Sequence, residues 1–159
     1  MNGGEVGRLA RQTNPWWRNP NWFEDDRDLQ SAQHSGITYA PDVLADIEVG
    51  GLYMLRGPRR AGKSVELKRT IRQLLQTGVH PLQVIYLAVD TWRANDFGYL
   101  PMVIRGQLTA AVDQKLPRYW FLDEITGVQG DWPSQVKWLR DNTSLRPISP
   151  ILSLPGSRL

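Results

Sequence analysis

Two short stretches carry the residue types that phosphate chemistry needs. The first, GPRRAGKS, satisfies G-x-x-x-x-G-K-[ST] with Gly57, Gly62, Lys63 and Ser64 in the fixed positions. In such a loop the main-chain N–H groups and the positive end of the following helix surround phosphate oxygens, and glycines allow the close approach. Lys63 is expected to reach the β- and γ-phosphates and Ser64 to ligate Mg²⁺. Pro58, Arg59, Arg60, Ala61 and Val65 complete the nucleotide-binding stretch. The bare pattern arises by chance in roughly one chain in two hundred of this length, so its context matters: it follows an apolar run and precedes a helical one.

The second stretch, YWFLDEITGVQGDW, supplies four bulky apolar residues and then Asp123-Glu124. That is the form of a buried strand delivering carboxylates to its C-terminal edge, where an acid can meet a metal held by the first loop. Asp123 is read as the metal-holding acid, and Glu124 as the group that orients or activates the attacking water. An apolar run ending in Asp-Glu is commonplace alone; the loop upstream gives it meaning. Asp90 closes another apolar run and is read as a cap or turn residue that could also touch the site. Arg59 and Arg60 either add positive potential around the phosphates or form an ordinary solvated pair. His34 and His80 are assigned no chemistry.

The elements that must position these groups alternate. GGLYMLRG reads as a buried strand, Gly62 to Thr77 as an amphipathic helix stopped by Gly78, and Val84 to Val89 as a second strand ending at Asp90. Leu100, Val103, Ile104, Leu108, Ala111 and Val112 fall at helical spacing, Tyr119 to Leu122 forms a third strand, and a helix beginning near Asp131 and Pro133 runs toward Asp141. A further turn of helix is expected from Asp42 to Ile47. The class is α/β with a parallel sheet flanked by helices. Residues 1–36 read as an irregular, tryptophan-rich leader that docks through Trp16, Trp17, Trp22 and Phe23, and residues 37–159 as the core.

With 159 residues and 41% apolar content the chain suits one soluble domain. It has no apolar run of membrane-spanning length and no signal-peptide pattern, so a cytoplasmic location is expected. The absence of cysteine removes disulfides, zinc clusters and thiol chemistry, which leaves an oxygen-ligated metal, Mg²⁺ above all. A net charge of +3, spread along the chain, favours anionic ligands in general and nucleic acid only weakly.

Together, NPWW at Asn14 to Trp17, LRGPRRAGKS at Leu55 to Ser64, VIYLAVD at Val84 to Asp90 and FLDEITGVQGDWPSQVKWLRD at Phe121 to Asp141 carry a resemblance. The chain resembles the predicted AAA+ superfamily ATPases of bacteria and archaea that begin with an Asn-Pro-Trp-Trp leader. The resemblance implies a P-loop core that binds ATP and Mg²⁺, with Asp123 and Glu124 serving metal and water. It also implies a fourth strand ending in a Thr-Gly-Ser sensor, then a fifth strand, a helical lid and a further domain. Here the text reads PISPILSLPGSRL: Gly156 and Ser157 match the sensor turn, but Pro155 replaces the threonine, and Pro147 and Pro150 fall in the strand. Proline cannot donate to a sheet ladder, so this segment is expected to be a poor internal strand. The expectation is therefore a partial AAA+ core, slow in turnover, whose partners are nucleotide and either further copies of itself or a C-terminal domain. The alternative is a nucleotide-binding interaction module without significant turnover.

Overall fold

The computed structural model describes residues 1–36, 47–48, 51–58, 61–100, 116–142 and 148–155. Among them, four parallel strands, β1 (Tyr53–Gly57), β2 (Val84–Ala88), β3 (Arg118–Asp123) and β4 (Ile148–Pro155), stand in the order β1-β4-β3-β2. The helices are α1 (Gly3–Thr13), α2 (Arg27–His34), α3 (Lys63–Gln76) and α4 (Trp132–Asn142). This is the α/β class with a parallel sheet that the alternation of patterns predicts. The expected helical residues 42–46 and 101–112 lie outside the described residues.

Strand periodicity divides the core into two layers. Ile85 and Leu87 of β2 point to the same side as Trp120 and Leu122 of β3, and pack with Val6 and Ala10 of α1 and Val136 and Leu139 of α4. Val84 and Tyr86 point the other way with Tyr119 and Phe121, against Leu67 and Ile71 of α3 and the rings of Trp16 and Trp22. β3 is buried along its whole length, as a strand covered on both faces must be.

The leader departs from the irregular chain expected. Asn2 and Glu5 form a reciprocal capping box that starts α1, and Val6 and Ala10, one turn apart, are both buried. The side chain of Asp26 accepts from the amides of Asp28 and Leu29 and starts α2. Each of these helices is short and polar overall, and at that length tertiary packing supplies stability that the isolated segment lacks.

Between the two helices, the Asn-Pro-Trp-Trp turn takes the place of a strand. The free edge of β2 presents the main-chain groups of alternate residues, Val84 and Tyr86. Asn14, fully buried, accepts from Tyr86 N–H through Oδ1 at 2.6 Å and donates to Tyr86 O through Nδ2 at 2.9 Å. The indole nitrogens of Trp16 and Trp17 both donate to Val84 O, at 3.2 and 2.9 Å. Thr13 Oγ1 adds a second bond to Tyr86 O at 3.0 Å.

Two expectations for the other half of the sheet are corrected. β4 is an internal strand, registered on β1 and on β3. Of its prolines, Pro155 is the last residue and Pro147 precedes the first, so only Pro150 is interior. That ring removes one ladder donor, while ladders on both sides hold the strand in register. β1, expected to be buried, is instead an edge among the described strands: Tyr53 and Leu55 are half-buried, whereas Met54 is 54% exposed.

Asn14→Ala is expected to destabilise the fold by about 2–4 kcal/mol, because it leaves the buried Tyr86 N–H without its acceptor and shortens the cover of the edge. Urea denaturation measures this. A loss below about 0.5 kcal/mol, the range of an ordinary surface change, would show that the edge does not need the amide.

Candidate functional site

The loop between β1 and α3 is set by one backbone feature. Gly62 has φ of +80° and N-caps α3 without a side-chain cap. In that region an L side chain costs about 1–2 kcal/mol, which is why glycine stands there. The first bond of the helix runs from Glu66 N–H to Gly62 O, at 2.9 Å. The amides of Lys63, Ser64 and Val65 precede it, at the positive end of the helix dipole. Lys63 Nζ donates to Gly57 O at 2.8 Å and to Pro58 O at 2.7 Å, so the ammonium spans the loop it belongs to. An ammonium has three N–H groups, so a phosphate oxygen can be met by the third or by exchange. Ala61 is exposed beside it, and Arg59 and Arg60 lie outside the described residues.

β3 brings Asp123 to this loop from 59 residues away. The carboxylate is 2% exposed, and both of its oxygens accept hydrogen bonds. Its Oδ2 accepts from Ser64 Oγ at 2.5 Å and from the Tyr86 hydroxyl at 2.8 Å, and its Oδ1 accepts from Glu124 N–H at 3.0 Å. The two metal-site candidates named by the sequence, Ser64 and Asp123, are therefore in direct contact. Burial first, and then the neighbouring Asp123 charge, holds the Tyr86 phenol far above its ordinary range, so it stays a donor.

Glu124 is exposed at the next position, with φ of +55°, the single non-glycine residue among those described with a positive φ. A left-handed glutamate costs of order 1 kcal/mol and persists where its surroundings over-determine it. They do so here. The turn Ile125–Gly127 lies against the loop after β2, where a Cβ on Gly127 would stand 2.6 Å from the Asp90 main chain. Val89 N–H donates to Asp123 O at 3.0 Å, and Gln129 N–H to Trp92 O at 2.9 Å. Asp90 thus contributes a wall of backbone, while its side chain is exposed. His34 and His80 make local bonds, to Gln30 O and from Leu82 N–H, away from this site.

Three residues of this neighbourhood escaped the sequence reading. Tyr86 is the one hydroxyl in an otherwise apolar strand, and that oddity is its signal. Lys68 sits one helical turn after Ser64, on the same face of α3. Its ammonium donates to Asp26 Oδ2 at 2.8 Å and Asp28 Oδ2 at 2.6 Å, and lies 5.7 Å from the centre of the Tyr86 ring. Burial opposes the Lys68 charge, but the hydrogen bonds and charges of Asp26 and Asp28 outweigh it and raise the ammonium above its ordinary value. Asn14 gave no signal of its own, since its partners are main-chain atoms of a distant strand.

The donors gathered here are a hydroxyl and a carboxylate, which suit a hard cation. Among the described residues no cluster of three acids or histidines could cage a metal by itself. No described helix is long and apolar enough to cross a membrane.

A protein-family model described as an AAA domain matches residues 50–153, a span that holds the loop, β1, β2, β3, most of β4 and Asp123-Glu124 and leaves the leader outside. Comparison with curated proteins and with solved structures gives no match. The parallel sheet, the loop opening onto a helix and this match over most of the chain lead to one conclusion: the chain belongs to the AAA domain family of P-loop ATPases.

Proposed function

We propose that the chain binds Mg-ATP in the loop from Gly57 to Ser64 and hydrolyses it, with Glu124 as the general base. The contact between Ser64 Oγ and Asp123 Oδ2 carries this reading, because it joins the end of the loop to the end of β3 in one all-oxygen site. The amides of Lys63, Ser64 and Val65 and the Lys63 ammonium would take the phosphates, as in other phosphate-binding loops. Ser64 and Asp123 would hold Mg²⁺, which would supply positive charge to offset that of the phosphates. Glu124, exposed on the strained turn, would accept the proton of the water that attacks the γ-phosphorus as the β–γ bridging oxygen leaves. The tight packing of Gly127 on Asp90 supports a fixed backbone in the turn that carries Glu124.

Lys63→Ala is expected to weaken ATP binding roughly a hundredfold, the ~3 kcal/mol of a charge-assisted hydrogen bond, with the far-UV circular dichroism unchanged. Equal ATP affinity in wild type and variant would remove the loop from the binding site. Glu124→Gln separates binding from turnover: affinity should stay within about twofold, while phosphate release falls by about 10²–10⁴, since the amide cannot accept the proton of water. If both chains bind Mg-ATP and neither releases phosphate above background, the chain is the interaction module and not the hydrolase.

A further inference from the structure

We propose that Tyr86 is a positioning residue for the metal-holding carboxylate: its hydroxyl sets the orientation of Asp123 and so the affinity for Mg²⁺ at the nucleotide site. The inference rests on the reading of Ser64 and Asp123 as the metal site. A carboxylate at the end of a strand can turn about its last torsion, and donors on both oxygens prevent it. Ser64 is one donor to Oδ2, but Ser64 must also offer its oxygen to the metal. The Tyr86 hydroxyl, at 2.8 Å, holds the same Oδ2 from outside the loop. Asp123 can then keep its place while the Ser64 hydroxyl turns.

The position of the phenol is itself over-determined. Tyr86 is paired with Phe121, so Asp123 is its diagonal neighbour on the same face of the sheet, within reach of an aromatic side chain. Asn14 bonds both main-chain groups of Tyr86. Lys68, pinned by Asp26 and Asp28 of the leader, stands over the ring. A ring needed only for packing would be served equally by phenylalanine. A hydroxyl set against a buried carboxylate is what that substitution removes. Outer partners of metal ligands commonly carry about 10–100-fold of metal affinity.

Tyr86→Phe tests this through the Mg²⁺ dependence of nucleotide binding, read with a fluorescent ATP analogue in EDTA and across a Mg²⁺ titration. The expected result is unchanged affinity in EDTA and a half-saturating Mg²⁺ concentration raised about tenfold or more. An unchanged Mg²⁺ midpoint, or an equal loss with and without the ion, overturns the positioning role and leaves the nucleotide site standing. Wild-type binding that is indifferent to Mg²⁺ overturns the metal site itself, and this inference with it. A second measurement does not depend on the variant folding. In the wild-type chain labelled with 3-fluorotyrosine, one of the 5 tyrosine resonances must move when Mg²⁺ is added to the nucleotide complex. If none of them moves, the proposal fails.

Discussion

An edge strand of a sheet leaves a row of main-chain groups that must find partners, and at β2 the central answer is an asparagine side chain. A primary amide carries a donor and an acceptor at nearly the spacing of a peptide unit. Asn14 uses both on Tyr86, in a site with no access to water. Unmet, each such group costs about 1–3 kcal/mol, so the pairing decides whether β2 can end the sheet inside the protein rather than at its surface. The tryptophans beside it do two things at once: their nitrogens bond Val84 O, and the Trp16 ring fills the layer between the sheet and α3.

From that pairing a chain of contacts runs to the loop between β1 and α3. The main chain of Tyr86 is fixed by the leader and its hydroxyl by Asp123; Asp123 in turn meets Ser64 at the start of α3. α3 is held on the sheet by Leu67 and Ile71 and on the leader by Lys68. The weights differ. Lys68 and Asp26 are both mostly buried, and removing Lys68 would leave the Asp26 charge without its ammonium partner. Asp28 is 46% exposed, and its share is that of a surface pair, about 0–1 kcal/mol.

Among the described residues, left-handed backbone in a non-glycine residue occurs only where chemistry is expected. Glu124 takes a left-handed conformation that few glutamates adopt, directly after the best-anchored carboxylate in the site. Backbone contact between Gly127 and Asp90, and the bonds linking residues 89–94 to 123–129, absorb that cost. Parallel sheets place such loops side by side at the carboxyl ends of neighbouring strands, so one loop can brace another.

Several features were legible in the text alone because they are local. Gly62 is demanded by the positive φ of a loop entering a helix, the spacing of Leu67 and Ile71 by the period of α3, and the apolar run into Asp123 by burial on both faces of β3. What the tertiary structure decided depends on partners remote in sequence. The place of β4 inside the sheet is set by ladders with β1 and β3, which outweigh the missing donor of Pro150. The helices of the leader start at local caps, Asn2 with Glu5 and Asp26, but the surfaces they pack on come from elsewhere in the chain. Asn14, Tyr86 and Lys68 acquire their parts only when the chain folds back across a separation of 72 positions from Asn14 to Tyr86 and of 42 from Asp26 to Lys68. A polar side chain in a sequence announces that it needs a partner; folding alone chooses which one.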